Sequence, residues 1–285
     1  MTSLHDLVSA ELAEPVDHRV TAMAEAIAAR HPGACAVLFY GSCLRESQLD
    51  GLMLDFYLIV ADYRAAYTKG WLATANRLIP PNVFPFAHEG LAAKYAVLSV
   101  ADFDRLNRID ASNVSVWARF AQPTRLVWAV DEAARDQAVS TICQAAPTLL
   151  SLAQPLAPSP DPITIWQTGF AQTYQCELRA ERTNRSGSIV DAEPERYRRF
   201  ADAIVVAPVA DAPKRWGQLR RRGKLLTIVR LAKASLTFSD GIDYLAWKIN
   251  RHAGTQIVIK PWQRRWPLLG AVVLVPKLFR QGAIR

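Results

Sequence analysis

Residues 39–60 read FYGSCLRESQLDGLMLDFYLIV, and the fold turns on how this stretch divides. CAVLFY, residues 35–40, is a short apolar run ending at a glycine and reads as a buried strand. GSCLRES then reads as a turn opening a short helix, and MLDFYLIV, residues 53–60, as a second strand. Period-two alternation places Met53, Asp55 and Tyr57 on one face of that strand, with Leu54, Phe56 and Leu58 on the other. A glycine at the turn after a strand lets a phosphate approach the backbone, because no Cβ blocks it. Ser42 adds a hydroxyl, and the amides of a helix start favour negative charge. Asp55 is an ionised group in an apolar run and needs a partner, for which a magnesium ion is suited. Gly-Ser after a strand is also common, and a lone strand-borne aspartate often caps or forms an ion pair. Both readings are open at this point.

Working outward, apolar positions at helical spacing (Leu7, Leu12, Val20, Met23, Ile27) predict helix over residues 6–30, ending at RHPGA. YRAAYTKGWLATANRLI predicts another helix that stops at Pro80 and Pro81. AAKYAVLSV, residues 92–100, is a third strand, followed by a helix beginning in VADFDRLNR. Strand, short helix, strand, long helix, strand is an α/β pattern. LAQPLAPSPDP, residues 152–162, has the composition of a linker. Beyond it the pattern is helical over about 163–183, 193–206, 213–237 and 241–252, with a short strand at 255–259 and a last helix from about 262. The expected units are an α/β domain over 1–151, the linker, a helical domain over 163–260 and a basic amphipathic segment over 261–285.

The formal net charge is +8, unevenly distributed. Residues 214–285 carry 16 Lys and Arg against two acids, a net of +14, while residues 1–213 carry a net of −6. Such asymmetry points to an anionic partner for the C-terminal part, unless it is only a solvated basic face. The cluster KRWGQLRRRGKLL, with Arg220, Arg221, Arg222 and Lys224, leads into an apolar helical face suited to an anionic bilayer. WPLLGAVVLVP, residues 266–276, is bracketed by Arg264, Arg265 and Lys277 and preceded by Trp262. With Trp266 it fits a helix lying in a membrane surface, or alternatively a buried C-terminal helix. No RNA-binding motif accompanies these charges, so nucleic acid is not the expected partner. No apolar run reaches the roughly 18–20 residues of a membrane span. The N-terminus lacks the apolar core of a secretory signal, and Cys35, Cys43, Cys143 and Cys176 lack paired spacing. A cytoplasmic protein associated peripherally with a membrane is therefore expected.

Five segments in order resemble the mitochondrial-type phosphatidate cytidylyltransferases, also called translocator assembly and maintenance proteins. They are Tyr40-Gly41-Ser42, Met53-Leu54-Asp55, Pro85-Phe86, Lys94-Tyr95, and Arg119 with Pro123, spread over about residues 35–130. The resemblance implies a nucleotidyltransferase-like domain of the polymerase-beta type, joined to a helical, winged-helix-like domain. It also implies magnesium-dependent conversion of CTP and phosphatidate to CDP-diacylglycerol. Carried onto this chain, Gly41 and Ser42 would hold the triphosphate, Asp55 the magnesium ion and Lys94 a phosphate, while Arg119 would be a phosphate or structural contact.

The chain departs from the family pattern at Ala96, where the family has glycine, and at Ala92, where the family often has an acid. Asp50 and Glu89 are the candidates to complete the metal site, although a solvated loop acid is the plainer account of each. Lys94 on an apolar strand either meets an anion or guards a strand edge. The alternatives to a cytidylyltransferase are transfer to another phosphorylated acceptor, or a non-catalytic lipid- or nucleotide-binding module on the same fold.

Overall fold

The computed structural model describes residues 2–45, 48–177, 189–237 and 260, and only the backbone of residues 45, 231, 232 and 234–237. The expected elements beyond residue 240 lie outside the described residues, as do Trp262, Arg264, Arg265 and Trp266.

The protein is mixed α/β. Five strands, β1 (Ala34–Tyr40), β2 (Met53–Val60), β3 (Asn82–His88), β4 (Leu91–Ser99) and β5 (Thr124–Ala129), form one sheet in the order β3-β4-β2-β1-β5. Neighbours are antiparallel except β2 and β4, which run parallel. β1 and β2 are almost wholly buried because they are central strands with both faces covered. On one face Leu54, Phe56, Leu58 and Val60 pack with Val37, Phe39 and Tyr95 against Val20, Met23 and Ile27 of α2 (His18–Ala29). Fully burying each such side chain contributes roughly 1.5–3 kcal/mol.

On the other face Tyr40, Tyr57, Ile59 and Leu98 join one continuous apolar cluster with Trp117, Trp166, Tyr197 and Trp216. These aromatics come from α6 (Trp117–Phe120), α9 (Pro162–Cys176), α10 (Pro194–Asp202) and α11 (Ala212–Thr237). Two hydrogen bonds tie the later chain to the segment around residue 152: Trp216 Nε1 donates to the Leu152 carbonyl at 2.9 Å, and Val209 N to that of Ser151 at 3.0 Å. The proline-rich stretch 152–162 therefore runs along a shared core, with a 3₁₀ turn at Gln154–Leu156 and Asp161 capping α9.

The remaining helices are α1 (Leu4–Leu12), α3 (Tyr63–Ala66), α4 (Gly70–Leu78), α5 (Val100–Asn107), α7 (Glu132–Ile142) and α8 (Ala145–Ala153). The single helix expected over 6–30 is two, α1 and α2. The chain breaks around Pro15, and the Asp17 side chain caps α2 by accepting from Arg19 N at 2.8 Å. The long helix expected after β2 is likewise split into α3 and α4. Tyr67 takes an extended conformation between them and packs edge-on to His31. Strands β3 and β5 carry no clear strand pattern in the sequence. Both lie at sheet edges, where partial burial blurs the alternation and Pro85 is tolerated. Glu11 and Arg196 form a buried ion pair joining α1 to α10, with Arg196 Nη2 3.0 Å from Glu11 Oε1.

Candidate active site

β1 delivers the chain to a left-handed turn. Gly41 has φ +100°, a region that L side chains rarely adopt, and a Cβ there would lie 3.3 Å from Asp55 Oδ2. Ser42 then opens a 3₁₀ turn, Ser42–Arg45, in which Leu44 N donates to the Gly41 carbonyl at 3.2 Å. The Cys43 thiol donates to the Met53 carbonyl at 3.6 Å and holds this turn against the start of β2. Ser42 itself is exposed.

The sheet register gathers the next residues. Asp55 stands opposite Tyr40 on β1 and opposite Lys94 on β4. Lys94 Nζ lies 3.1 Å from Asp55 Oδ1, with side-chain exposures of 31% and 25%. The pair is an ionic contact rather than an aligned hydrogen bond, since Asp55 Oδ1 is buried and has no hydrogen-bond partner among the described residues. Lys94 therefore meets an anion in the interior of the sheet, because β3 covers its outer side.

Arg119 on α6 closes the site from the helical side, its guanidinium carbon 5.1 Å from the centre of the Tyr40 ring. Among the described residues no hydrogen bond or ion pair engages that guanidinium. Burial disfavours its charge, but Tyr40, Glu177, Tyr57 and Asp55 outweigh burial and raise its pKa. The Tyr40 and Tyr57 rings pack against each other at a tilt of 36°, their centres 5.2 Å apart. Burial pushes the Tyr40 hydroxyl well above the usual tyrosine range, with Asp55 and Tyr57 adding to the effect. Burial also raises that of Tyr57, against the pull of Arg119 and Arg230. Both phenols stay protonated at neutral pH.

Gly41, Asp55, Lys94 and Arg119 thus lie together at one end of β1 and β2, on the face covered by the helices. Asp50 and Glu89 are engaged elsewhere. Asp50 is exposed and 3.3 Å from Arg19 Nη1, while Glu89 is exposed at the β3–β4 turn, 3.9 Å from His88 Nε2. No group of three His, Cys, Asp or Glu side chains suited to a metal ion occurs among the described residues.

Arg230 of α11, bonded to the turn that leads into α6, is a residue that sequence reasoning passes over. It donates from Nη1 to Ser115 Oγ at 2.9 Å and acts electrostatically on Tyr57. Its signal was present: Trp216, Leu219, Gly223, Arg230 and Lys233 recur at three-and-four spacing, so two cations occupy the buried stripe of the helix. Arg221, Arg222 and Lys224 are exposed, whereas Arg220 is half-buried and donates to Gln175 Oε1 at 3.0 Å. No helix among the described residues is long and apolar enough to cross a membrane.

No protein-family model matches the chain, and no curated protein matches it. Among solved structures it is similar to a nucleotidyltransferase-like protein from Exiguobacterium sibiricum 255-15. That likeness is at 10% identity and a TM-score of 0.30, covering 93% of this chain and 91% of that one.

Proposed function

We propose that the protein is a nucleotidyltransferase acting at a membrane surface, transferring the cytidylyl group of CTP to a phosphatidate-like lipid to give CDP-diacylglycerol and pyrophosphate. The observation that carries the reading is the left-handed Gly41 turn, so close to Asp55 that a Cβ on Gly41 would lie 3.3 Å from its Oδ2, with Lys94 and Arg119 beside it. The choice of CTP and of a lipid acceptor rests on the sequence resemblance and on the exposed Arg221, Arg222 and Lys224 of α11.

One strand-borne carboxylate with an unsatisfied buried oxygen fits a magnesium ion that arrives chelated by the triphosphate, because magnesium keeps waters and phosphate oxygens among its ligands. In that arrangement Asp55 would hold the ion, which would neutralise charge on the phosphates. Gly41 leaves room for the triphosphate to approach the backbone, and Ser42 offers its hydroxyl. Binding draws Lys94 from Asp55 towards the phosphates. Arg119, with no acceptor of its own among the described residues, balances the charge that builds at the α-phosphate as the acceptor oxygen attacks in line. A phosphate monoester is already ionised near neutral pH, so a site without a general base suffices.

A second reading, a non-catalytic nucleotide- or lipid-binding module, is favoured by the Asp55–Lys94 pair, which neutralises the only carboxylate on the strand face. Incubation of the purified protein with labelled CTP, magnesium and phosphatidate vesicles separates the two. Lipid-linked CMP, lost in Asp55→Ala, is the expected result. Equal turnover in Asp55→Ala overturns the assignment of Asp55, and binding of magnesium–CTP without turnover favours the module.

A further inference from the structure

We propose that Arg230 is a positioning residue for Arg119, and that the last turns of α11 are a clamp that completes the candidate site. The proposal rests on the phosphate-binding reading of Arg119 given above.

Arg119 sits on α6, a helix of four residues, which is too short to hold its own direction. Its orientation is set by the turn that feeds it. In that turn the Asn113 side-chain oxygen accepts from Ser115 N at 3.1 Å and from Ser115 Oγ at 2.5 Å, and Ala118 N donates to the Val114 carbonyl at 3.0 Å. Arg230 Nη1 donates into the same turn at Ser115 Oγ, 2.9 Å away.

The rest of the Arg230 guanidinium grips a second element. Nε and Nη2 donate to the Pro80 carbonyl at 3.0 and 2.6 Å. One turn further along the helix, Lys233 Nζ donates to the carbonyls of Ile79 and, at 2.8 Å, Pro81. Residues 79–81 immediately precede β3, which pairs with β4 so that Pro85 stands opposite Lys94. One face of α11 thus holds both the turn behind Arg119 and the strand alongside Lys94.

The two arginines divide the work. Arg230 spends Nε, Nη1 and Nη2 on protein acceptors, and such charge-assisted, forked bonds fix geometry as well as adding energy. Arg119 spends none on the described residues and is left for a ligand. A residue bonded in this way acts through its neighbour.

The test uses the full chain and two readouts: amide hydrogen exchange over residues 114–121, and titration with magnesium–CTP. Arg230→Gln and Ser115→Ala should both speed exchange in that segment and weaken magnesium–CTP binding roughly tenfold, about 1.4 kcal/mol. Ser115→Thr keeps the hydroxyl and should restore both. If Arg230 acts through Arg119, Arg230→Gln adds no further loss of affinity in an Arg119→Gln background. Unchanged exchange in Arg230→Gln overturns the proposal, as do losses that add in the double variant. Should Arg230→Gln fail to fold, Ser115→Ala alone and combined with Arg119→Gln decides in the same way. Wild-type protein that binds no magnesium–CTP overturns the proposed function, and the exchange result then judges the clamp by itself.

Discussion

Gly41 is constrained twice, by its left-handed backbone and by the carboxylate 3.3 Å from where a Cβ would stand. Gly41→Ala should therefore cost about 1–3 kcal/mol in stability. It should also abolish magnesium–CTP binding in protein that is still folded, because the methyl displaces Asp55. Thermal denaturation and calorimetric titration of the same sample check this, and wild-type affinity in the variant would refute it. Gly41 and Asp55 could be found in the sequence because their signals are local: a glycine ending an apolar run, and one acid inside the next. Lys94 was suspect for the same reason, but its partner was not legible. The Asp55–Lys94 pairing is a matter of parallel register between strands 39 residues apart in the chain.

At the scale of elements, α11 shows how one pattern can serve two surroundings. Its basic cluster and apolar positions read as a helix for a bilayer, yet Trp216 and Leu219 are buried in the protein core. Gly223 packs so closely on α9 that a Cβ would lie 2.2 Å from the Cys176 carbonyl oxygen. Arg221, Arg222, Lys224 and Leu225 remain on the outer side. Gly223→Ala should push α11 off α9, since a backbone carbonyl cannot rotate away, at a cost of roughly 1–3 kcal/mol. Chemical denaturation would show the loss, and faster hydrogen exchange in both helices would place it. A variant as stable as wild type would show that the helices do not meet there. The central strands were recognised because burial on both faces gives unbroken apolar runs. The edge strands β3 and β5 were missed because half-exposed strands mix residue types.

Across the whole molecule, charge and burial are coupled through α11. Burial, reinforced by Arg230, lowers the Lys233 pKa from 10.5 to about 7. Below about pH 7 the folded and unfolded chains both carry this proton. Between about pH 7 and the ordinary lysine value the unfolded chain alone retains it, so stability rises with pH across that window. The unfolding free energy of wild type minus that of Lys233→Met should rise by roughly 1 kcal/mol per pH unit between pH 7 and 9. A flat difference in urea denaturation over that range would refute the assignment.

The sequence by itself determined the α/β class, the three inner strands β1, β2 and β4, the glycine turn and the acid on β2. Each depends on the order and spacing of neighbouring residues, and the solvent outside the chain acts on them alike wherever they finally pack. The tertiary structure decided which cations face Asp55 and that the helices after residue 162 share a core with the sheet. It also placed Arg230, 111 residues beyond Arg119, behind the turn that feeds α6. Those outcomes are contacts between distant segments, fixed by register and by the competition for buried surface, and no local pattern encodes them.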